Sequence, residues 1–478
     1  MTTDCLYTHR YVLRAVIEFT TPFLVGAGRK GDTADAVFVS DANGFPALPG
    51  SSIAGVLRAR FRETFSADDE ERLFGFQKGD EGEGSRLTVS WGCIHDCENA
   101  PVEGIVPLQR HDDPVLAKAR IPSIRDHVRI NHKGASSAEE HGKFDEQAVC
   151  AGHRFTFELE LSGTAEESPL WEKLLSLLST IPLRFGGKTR RGYGACRLVS
   201  LKGRIFDLRS DFDSYIKHPV ALSEPSPLLE EIDTGQHRAE KGITLSLSPC
   251  GFWMIGGGYD LPEQRGDADM APLRDCRIVW SGDGAKVEDD LIVIPAASVK
   301  GALSHRVAFH YNALKGIFSD TLSPEIITGF CGEGNTAVRE LFGFSKERDI
   351  SVNGPKETNS TDGKAGRVFI DDIYLSRDHL SRLVPHVGID RFTGGARDQV
   401  LFSERPLWKG NPIDLRIVVA DTTNMEDRDN VLKAFRSAVL ELAEGNLQLG
   451  AGSGRGLGYF RADAPVEWPD YMKTAIEG

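Results

Sequence analysis

Leu48-Pro-Gly-Ser-Ser-Ile-Ala-Gly55 has a counterpart later in the chain, Ile294-Pro-Ala-Ala-Ser-Val-Lys-Gly301. Other blocks recur in the same order around this pair. They are an apolar run ending in glycines (23–28 and 253–258), a Gly-Asp step with a second Asp (31–35 and 266–269), Leu-Phe-Gly-Phe (73–76 and 341–344), a His-Val block (127–131 and 386–390) and a late Arg-Gly step (191–194 and 455–458). Several matches in register indicate an internal repeat. The sequence therefore predicts two copies of one module.

The segment between the copies has the composition of a linker. It is polar, poorly periodic and proline-bearing, with Pro219 and Glu224-Pro-Ser-Pro227, as connecting segments are. The 478 residues are enough for two or three domains. We place the copies at residues 1–205 and 243–465, the linker at 206–242 and a C-terminal tail at 466–478.

Each copy is predicted to open with a strand, at residues 12–19 and 243–247. A helix then begins at the Pro-Gly-Ser-Ser block, with Ser51 or Ser52 as the N-cap. Apolar periodicity predicts the remaining elements, which are strands at 87–89, 153–161, 368–370 and 413–419 and helices at 170–179 and 431–443. Strand–helix–strand units mixed with antiparallel pairs favour the α+β class, with two tandem ferredoxin-like, RNA-recognition-type domains that carry insertions.

The net charge of −14 counts against nonspecific binding of nucleic acid over the whole surface. A local basic groove remains compatible with it, because the field at a site depends on nearby charges. One stretch is locally basic and includes Lys118, Arg120, Arg125, Arg129 and Lys133. Of these, Arg129 and Lys133 are candidate RNA contacts.

No stretch reaches the roughly 20 apolar residues that span a bilayer, and residues 1–10 lack an apolar leader. We therefore expect no membrane partner and a cytoplasmic location. The eight cysteines are scattered, so reduced thiols are favoured over a disulfide framework. Cys93-Ile-His-Asp-Cys97, with Cys150 and His153, offers zinc-ligand chemistry. Its spacing is not that of a standard finger, however, and zinc is not expected.

The late glycine loops carry the strongest local signal. Copy one has Phe185-Gly-Gly-Lys-Thr-Arg-Arg-Gly-Tyr-Gly194, and copy two has Leu449-Gly-Ala-Gly-Ser-Gly-Arg-Gly-Leu-Gly458. Glycine lets a backbone approach a ligand, and a basic neighbour adds charge for phosphate. The candidate contacts are Gly187, Lys188, Arg190, Arg191, Gly192, Gly454, Arg455 and Gly456. Pro182 stands where a Walker A motif needs glycine, and a tight structural turn remains the alternative.

The repeated helix start is a second candidate anion site, because a helix N-terminus presents free N–H groups. Ser51 and Ser52 are the candidates in copy one, and Lys300 is the candidate in copy two. The copies differ here, since Ala296 and Ala297 stand in the second, and we expect them to grip RNA somewhat differently. A simple capped helix is the alternative.

These blocks resemble the RAMP superfamily, and most closely the Cas7-type backbone subunits of type III CRISPR complexes. Gly44-Phe-Pro-Ala-Leu-Pro-Gly-Ser-Ser52 is a very close match, and Gly388-Ile-Asp-Arg-Phe-Thr-Gly-Gly-Ala396 looks like the family's thumb hairpin. Arg391 in that hairpin is a further candidate RNA contact. The resemblance covers both copies and so most of the chain. Two fused modules look like the double-Cas7 subunits of type III-D systems.

The resemblance implies that an Asp in the loop after the first strand of each copy cuts target RNA. Asp35 matches in copy one, with Asp32 as runner-up, and Asp269 matches in copy two, with Asp267 as runner-up. Asp35 and Asp269 would hold Mg²⁺ or Mn²⁺, with RNA phosphates and water as the other ligands. The implied partners are a crRNA guide, target RNA, and further type III subunits of the Cas10, Cas5-like, Cas11-like and Cas7-like kinds.

Two other functions stay open. A Cas6-type RNA-processing nuclease also has two RAMP domains, but it would use histidine-type acid–base chemistry and would not repeat the Pro-Gly-Ser-Ser helix start. A non-catalytic, crRNA-binding scaffold is the other alternative, because an Asp in an exposed loop often does no more than solvate that loop. Spacing alone favours this bland interpretation of the Asp residues, and the resemblance favours activity.

Overall fold

The structure is a computed structural model, and it describes residues 7–28, 35–136, 142–180, 183–233, 242–257, 268–282, 284–323, 326–344, 363–376 and 379–473. We call the described residues up to 233 module 1 and those from 242 onward module 2. Both modules mix helices and strands, which confirms the α+β class.

Module 1 contains eleven strands and five α-helices within its described residues. The strands are β1 (His9–Phe19), β2 (Phe76–Lys78), β3 (Glu81–Glu83), β4 (Leu87–Val89), β5 (Cys93–Ile94), β6 (Ser123–Val128), β7 (Lys143–Ala148), β8 (Arg154–Gly163), β9 (Leu183–Arg184), β10 (Ala195–Asp207) and β11 (Glu230–Glu231). The helices are α1 (Gly50–Thr64), α2 (Ala67–Phe74), α3 (Pro114–Arg120), α4 (Ser168–Thr180) and α5 (Phe212–Tyr215).

Module 2 contains thirteen strands and four α-helices within its described residues. The strands are β12 (Ile243–Pro249), β13 (Phe252–Trp253), β14 (Arg274–Ser281), β15 (Gly284–Ile294), β16 (Gly343–Phe344), β17 (Lys364–Ala365), β18 (Val368–Ile370), β19 (Ile373–Leu375), β20 (Val384–Ile389), β21 (Ala396–Glu404), β22 (Leu407–Trp408), β23 (Ile413–Val419) and β24 (Phe460–Ala462). The helices are α6 (Ala296–Leu314), α7 (Thr336–Phe342), α8 (Arg428–Glu444) and α9 (Asp470–Lys473).

The two central sheets have the same topology. In module 1 the strand order is β11-β10-β1-β8-β4, and in module 2 it is β18-β23-β12-β24, with every neighbouring pair antiparallel. Counted by position in the chain, the four shared strands run 4-1-3-2. A helix follows the first strand (α1, α6) and another follows the third (α4, α8). This is the ferredoxin-like βαββαβ unit, present twice as predicted.

Helix α1 shows why the repeated block sits where it does. Ile53, Leu57 and Phe61 recur at helical spacing and are fully buried against the sheet. The helix begins at Gly50, where an added Cβ would lie 2.3 Å from the backbone oxygen of Val89. Glycine is therefore needed for the helix start to approach strand β4. Pro49 is the N-cap and no side chain caps the helix, so the prediction of a serine N-cap was wrong.

The described part of the segment predicted as a linker packs on module 1. Strand β11 pairs with β10. Arg14 donates hydrogen bonds to the backbone oxygens of Glu224 (2.6 Å) and Pro219 (3.0 Å). His218 lies 3.0 Å from Glu158. Residues 206–233 thus pack on module 1, and β11 adds one short strand beside β10 at Lys202 and Gly203.

Each module also carries a two-stranded hairpin outside its central sheet, which we call its thumb: β6–β7 in module 1 and β20–β21 in module 2. The turns are built alike. Asn131 Oδ1 accepts hydrogen bonds from the backbone N–H groups of Lys133 (2.9 Å) and Ala135 (3.2 Å). Asp390 Oδ1 accepts from those of Phe392 (3.0 Å) and Thr393 (2.8 Å). Asn131 and Asp390 thus both accept N–H groups of their own turn, although the turn at Asp390 closes one residue later, at Gly395.

Module 2 packs against module 1 along a contact that we call the seam. Hairpin β14–β15 provides much of it. Trp280 Nε1 donates to the backbone oxygen of Gly152 at 2.7 Å, and the N–H of Ala285 donates to the backbone oxygen of Cys97 at 2.8 Å. Among the helices in the described ranges, none has the length and apolar character needed to cross a membrane.

Candidate nucleic-acid interface

The Asp-bearing loop of module 1 is tied to the second thumb strand. The backbone N–H of Asp35 donates to Asp145 Oδ1 at 2.8 Å, and the N–H of Asp145 faces Asp35 Oδ2 at 3.4 Å. The next residues, Ala36 and Glu146, form a parallel β-bridge. Asp35 therefore lies at the base of the thumb. The residue after it, Ala36, is paired with Glu146, which is fully buried.

Module 2 repeats this arrangement. The N–H of Asp269 lies 3.1 Å from Ser403 Oγ, and Asp269 Oδ2 accepts from the N–H (2.7 Å) and Oγ (3.0 Å) of Ser403. Met270 and Glu404 form the matching parallel bridge. The runner-up residues Asp32 and Asp267 lie outside the described residues.

A buried glutamate joins each thumb base to the late glycine loop. In module 1, Glu146 Oε1 lies 3.0 Å from His127 Nε2, while Oε2 lies 3.4 Å from Lys188 Nζ and 4.0 Å from the Arg191 guanidinium. Burial alone would raise the pKa of Glu146, but the hydrogen bond to His127 and the nearby positive charges lower it below its usual value. The carboxylate is therefore held in its charged form.

The same contacts recur in module 2. Glu404 is 1% exposed, its Oε2 lies 3.2 Å from His386 Nε2, and Arg455 forms an ion pair with its other oxygen. The counterpart of Lys188 is Gly452, so the pair of His and Arg is what the two modules share.

Stacked rings complete the arrangement. The rings of His127 and Phe144 are parallel within 17° at 5.0 Å, and those of His386 and Phe402 within 20° at 4.8 Å. The Arg191 guanidinium lies 4.8 Å from the centre of the first phenylalanine ring. We call Glu146, His127, Phe144 and Arg191, and their counterparts Glu404, His386, Phe402 and Arg455, the glutamate clusters.

The glycines of the late loops serve close packing in both modules. A Cβ at Gly186 would lie 2.4 Å from the backbone oxygen of Leu24, and one at Gly450 would lie 2.2 Å from that of Met254. Both glycines also have positive φ. The loops are thus tight turns pressed onto the first apolar run of each copy, and this packing places Arg191 and Arg455 beside the thumb base.

Several of the predicted RNA contacts lie at the seam. Lys300 Nζ donates to the backbone oxygen of Arg190 at 2.9 Å. Arg190 Nε donates to the backbone oxygen of Gly366 at 2.6 Å. A Cβ at Gly192 would lie 2.4 Å from the Cβ of Ala296. Burial and the nearby arginines lower the pKa of Lys300 to about 8. The structure therefore uses Lys300, Arg190 and Gly192 to join the two modules.

The remaining predicted contacts are spread over three places. Ser51 and Ser52 lie in the first turn of α1. Three basic residues lie at or beside thumb turns and are exposed: Arg129, Lys133 and Arg391. The glycine loops place Gly187, Gly454 and Gly456 at the surface. Within the described ranges, the Asp loops, the thumb bases and the loop arginines meet in one arrangement that both modules repeat.

Sequence reasoning singled out neither Glu146 nor Glu404. A signal was present, because Phe144-Asp-Glu146 and Phe402-Ser-Glu404 share the pattern Phe-x-Glu. It was missed because the distance from the His-Val block differs between the copies, so the match falls out of register.

Metal-binding capacity is sparse among the described residues, where no group of three or more His, Cys, Asp and Glu is placed to hold an ion. Mg²⁺ is commonly held by one or two carboxylates together with substrate phosphates and water. Asp35 with its neighbour Asp145, and Asp269 alone, fit that sparse kind of site. The predicted zinc-ligand candidates Cys150 and His153 lie 3.5 Å apart through Sγ and Nε2.

The repeated fold and the repeated site define a tandem ferredoxin-like protein. The family model described as the RAMP superfamily matches residues 16–197 and 278–461, which is more than half of the chain, and the chain belongs to that superfamily. No curated protein matches it. A solved structure titled "Type III-B Cmr-beta Cryo-EM structure of the Apo state" is 15% identical with a TM-score of 0.30, covering 41% of this chain and 98% of its own. A likeness this distant carries no functional argument.

Proposed function

We propose that this chain is a crRNA-binding backbone subunit of a type III CRISPR ribonucleoprotein, with two fused Cas7-type modules that each cut target RNA at one loop Asp. One observation carries the proposal. In both modules an Asp carboxylate faces a backbone N–H of the thumb base, next to a buried glutamate that forms an ion pair with an arginine of the glycine loop. Membership of the RAMP superfamily and the tandem repeat support the same conclusion.

The residues of each site suit a phosphate backbone. An arginine guanidinium makes charge-assisted, directional hydrogen bonds to phosphate. The positive charge of the arginine offsets the repulsion between the phosphate and the nearby Asp carboxylate. Asp35 and Asp269 are the residues that would hold Mg²⁺ or Mn²⁺, and the ion, when bound, supplies charge stabilisation at the scissile phosphate. Contacts of this kind position RNA without selecting its sequence, so specificity would come from base pairing to the guide.

The proposed partners follow from this role. They are the crRNA guide, the target RNA, and other type III subunits of the Cas10, Cas5-like, Cas11-like and Cas7-like kinds. Type III-D, where two Cas7 modules are fused, is the subtype that the tandem arrangement favours.

A non-catalytic scaffold is the second candidate, and a specific contact in module 2 favours it there. Asp269 Oδ2 already accepts two hydrogen bonds from Ser403, which is how a carboxylate stabilises a loop. In module 1 the residue at that position is Asp145, which leaves two carboxylates side by side. The scaffold function is therefore better supported for module 2 than for module 1.

The test is cleavage of guide-matched RNA by the complex co-expressed and purified with this chain. We expect a short guide RNA to co-purify, and matched RNA to be cut with Mg²⁺ and to stay intact with EDTA. A complex without RNA would contradict the whole proposal. Bound guide with no cleavage in Mg²⁺ or Mn²⁺ would leave the scaffold function and contradict the nuclease.

A further inference from the structure

Glu146 connects every segment of the module 1 site. It lies on thumb strand β7, its backbone bridges the Asp loop at Ala36, and its carboxylate lies 3.0 Å from His127 Nε2 of strand β6 and 4.0 Å from the Arg191 guanidinium of the glycine loop. The side chain is 1% exposed. A shift of this residue would therefore disturb the Asp loop through the backbone, and the thumb histidine and the arginine through the carboxylate.

Glu404 makes the same connections in module 2, through Met270, His386 and Arg455. Its side chain is also 1% exposed. The two clusters are built from different surroundings, since Lys188 is replaced by Gly452. A common geometry within different surroundings indicates that the carboxylate and its two partners are what the modules retain.

Stability alone is a poor reason for retaining them. Replacing a buried ion pair by apolar side chains of similar volume is often neutral or stabilising, because burying charge carries a desolvation cost. Neighbouring positions have diverged freely between the modules, as Asp145 and Ser403 or Arg190 and Gly454 show. The buried carboxylates have not, although an apolar residue would fill the same space.

We propose that Glu146 and Glu404 are positioning residues for RNA cleavage: each fixes one loop arginine and one thumb histidine at a set place beside the Asp loop. An RNA phosphate that meets Arg191 or Arg455 is thereby brought into register with Asp35 or Asp269. The Arg191 and Arg455 side chains are 37% and 44% exposed, so each is open to a ligand on one side and faces the buried carboxylate on the other. This inference rests on the proposed function.

The test compares Glu146→Gln and Glu146→Met in the assembled complex under single-turnover conditions with saturating target. Gln keeps the shape and removes the charge, and Met fills the space without polar contacts. We expect the module 1 cut to slow by about 10–100-fold in both, as for other residues that orient a reactive group through a partner. The module 2 cut in the same molecules, the affinity for target and the bound guide should stay at wild-type levels. Glu404→Gln should give the reverse pattern.

Thermal unfolding separates positioning from stability. The midpoint of Glu146→Met should fall only slightly, because the charges that it leaves on Lys188 and Arg191 are 34% and 37% exposed and can be solvated, even though its cut is slow. The exposed Glu231→Gln serves as the matched control and should change neither cut. Should Glu146→Met fold poorly, His127→Gln tests the same contact by changing the partly exposed partner of Glu146. This variant should also slow the module 1 cut alone.

Failure of the positioning role and failure of the proposed function would give different results. If Asp35→Ala removes the module 1 cut while Glu146→Gln and His127→Gln leave its rate within twofold of wild type, the positioning role is overturned and the proposed function stands. If slowing follows a lowered unfolding midpoint and affects both cuts equally, the glutamate is structural only and the inference fails. If Asp35→Ala leaves both cuts intact, the proposed function itself fails.

Discussion

Arg125 on the module 1 thumb donates a hydrogen bond to Asp275 of module 2 at 2.7 Å, and both side chains are buried. The same guanidinium forms an ion pair with Asp372, whose other oxygen accepts from the backbone N–H of Ala296 at the start of α6 at 2.8 Å. The thumb of one module is thus anchored to the first turn of a central helix in the other. This contact holds the two candidate sites in a fixed relative position.

Removing Arg125 should destabilise the protein strongly. Arg125→Ala leaves two buried carboxylates without their counter-charge, which typically costs about 3–5 kcal/mol. We expect a large drop in the urea concentration at the unfolding midpoint, measured by intrinsic fluorescence. Lys202→Ala, which removes an exposed ion pair with Glu231, is the control and should have little effect. An Arg125→Ala midpoint equal to that of the control would show that the seam contributes no stability through this contact.

His153 should make the protein acid-sensitive. The side chain is fully buried, and burial lowers its pKa from 6.5 to about 4. The unfolded state therefore takes up a proton at a higher pH than the folded state. Stability from this group is complete above pH 6.5 and is lost as the pH falls towards 4, by about 3 kcal/mol in all.

The corresponding measurement is urea unfolding at several pH values between 7 and 4. His153→Gln should show a shallower loss of stability over this range than the wild type. The exposed His132→Gln should follow the wild-type curve. Parallel curves for the wild type and His153→Gln would mean that His153 does not titrate as a buried neutral group.

The glycine-loop arginines should separate into two kinds. Arg191 and Arg455 hold equivalent places beside the thumb bases, whereas Arg190 lies at the seam. Arg191→Ala and Arg455→Ala should each lower the slope of log K for target RNA against log salt by about 0.7, the value for one phosphate contact on a single strand. Arg190→Ala should lower the unfolding midpoint and leave the slope unchanged. If Arg190→Ala alone lowered the slope, the loop would contact RNA through a different face.

Ser403 should tune the module 2 site only. Its hydroxyl donates to Asp269 Oδ2 at 3.0 Å and accepts from the Asp269 N–H at 3.1 Å. Ser403→Ala loses both contacts and keeps the bond from the Ser403 N–H to the carboxylate. We expect the module 2 cut to slow by roughly tenfold, measured as a single-turnover rate, with the module 1 cut as the internal control. Equal slowing of both cuts would indicate a general loss of fold and not a local role.

The fold was predictable from the sequence to the extent that local pattern determines it. Strands 87–89, 368–370 and 413–419 were predicted at the residues where the structure has them, because short runs of apolar, β-branched residues mark them in the sequence. The N-cap was not predictable, since the reason for Gly50 is its approach to Val89, a residue distant in sequence.

The site was predictable only in part. The repeat identified the Asp loops, the histidines and the loop arginines, but nothing local indicates that Glu146 joins them, because its partners lie about 20 and 45 residues away in the chain. From the sequence alone, the positive charges of Arg190 and Lys300 suggested contact with phosphate as strongly as those of the other loop arginines. Only the three-dimensional packing of module 2 on module 1 shows that these two residues meet each other.

The most direct test of the central claim is to map target-RNA cleavage by complexes carrying Asp35→Ala or Asp269→Ala. Each module presents one Asp at its own thumb base, so each substitution should abolish one cut, and a different one, while the guide stays bound. The distance between the two cuts on the RNA should equal the spacing between the two modules along it. We propose that the 2′-hydroxyl at each cut attacks the adjacent phosphate and displaces the 5′-oxygen of the next nucleotide. A target with deoxyribose at one cleavage position should therefore lose that cut alone. If both alanine variants retain both cuts, neither Asp is the cleaving residue and the account of this chain as a two-site nuclease is wrong.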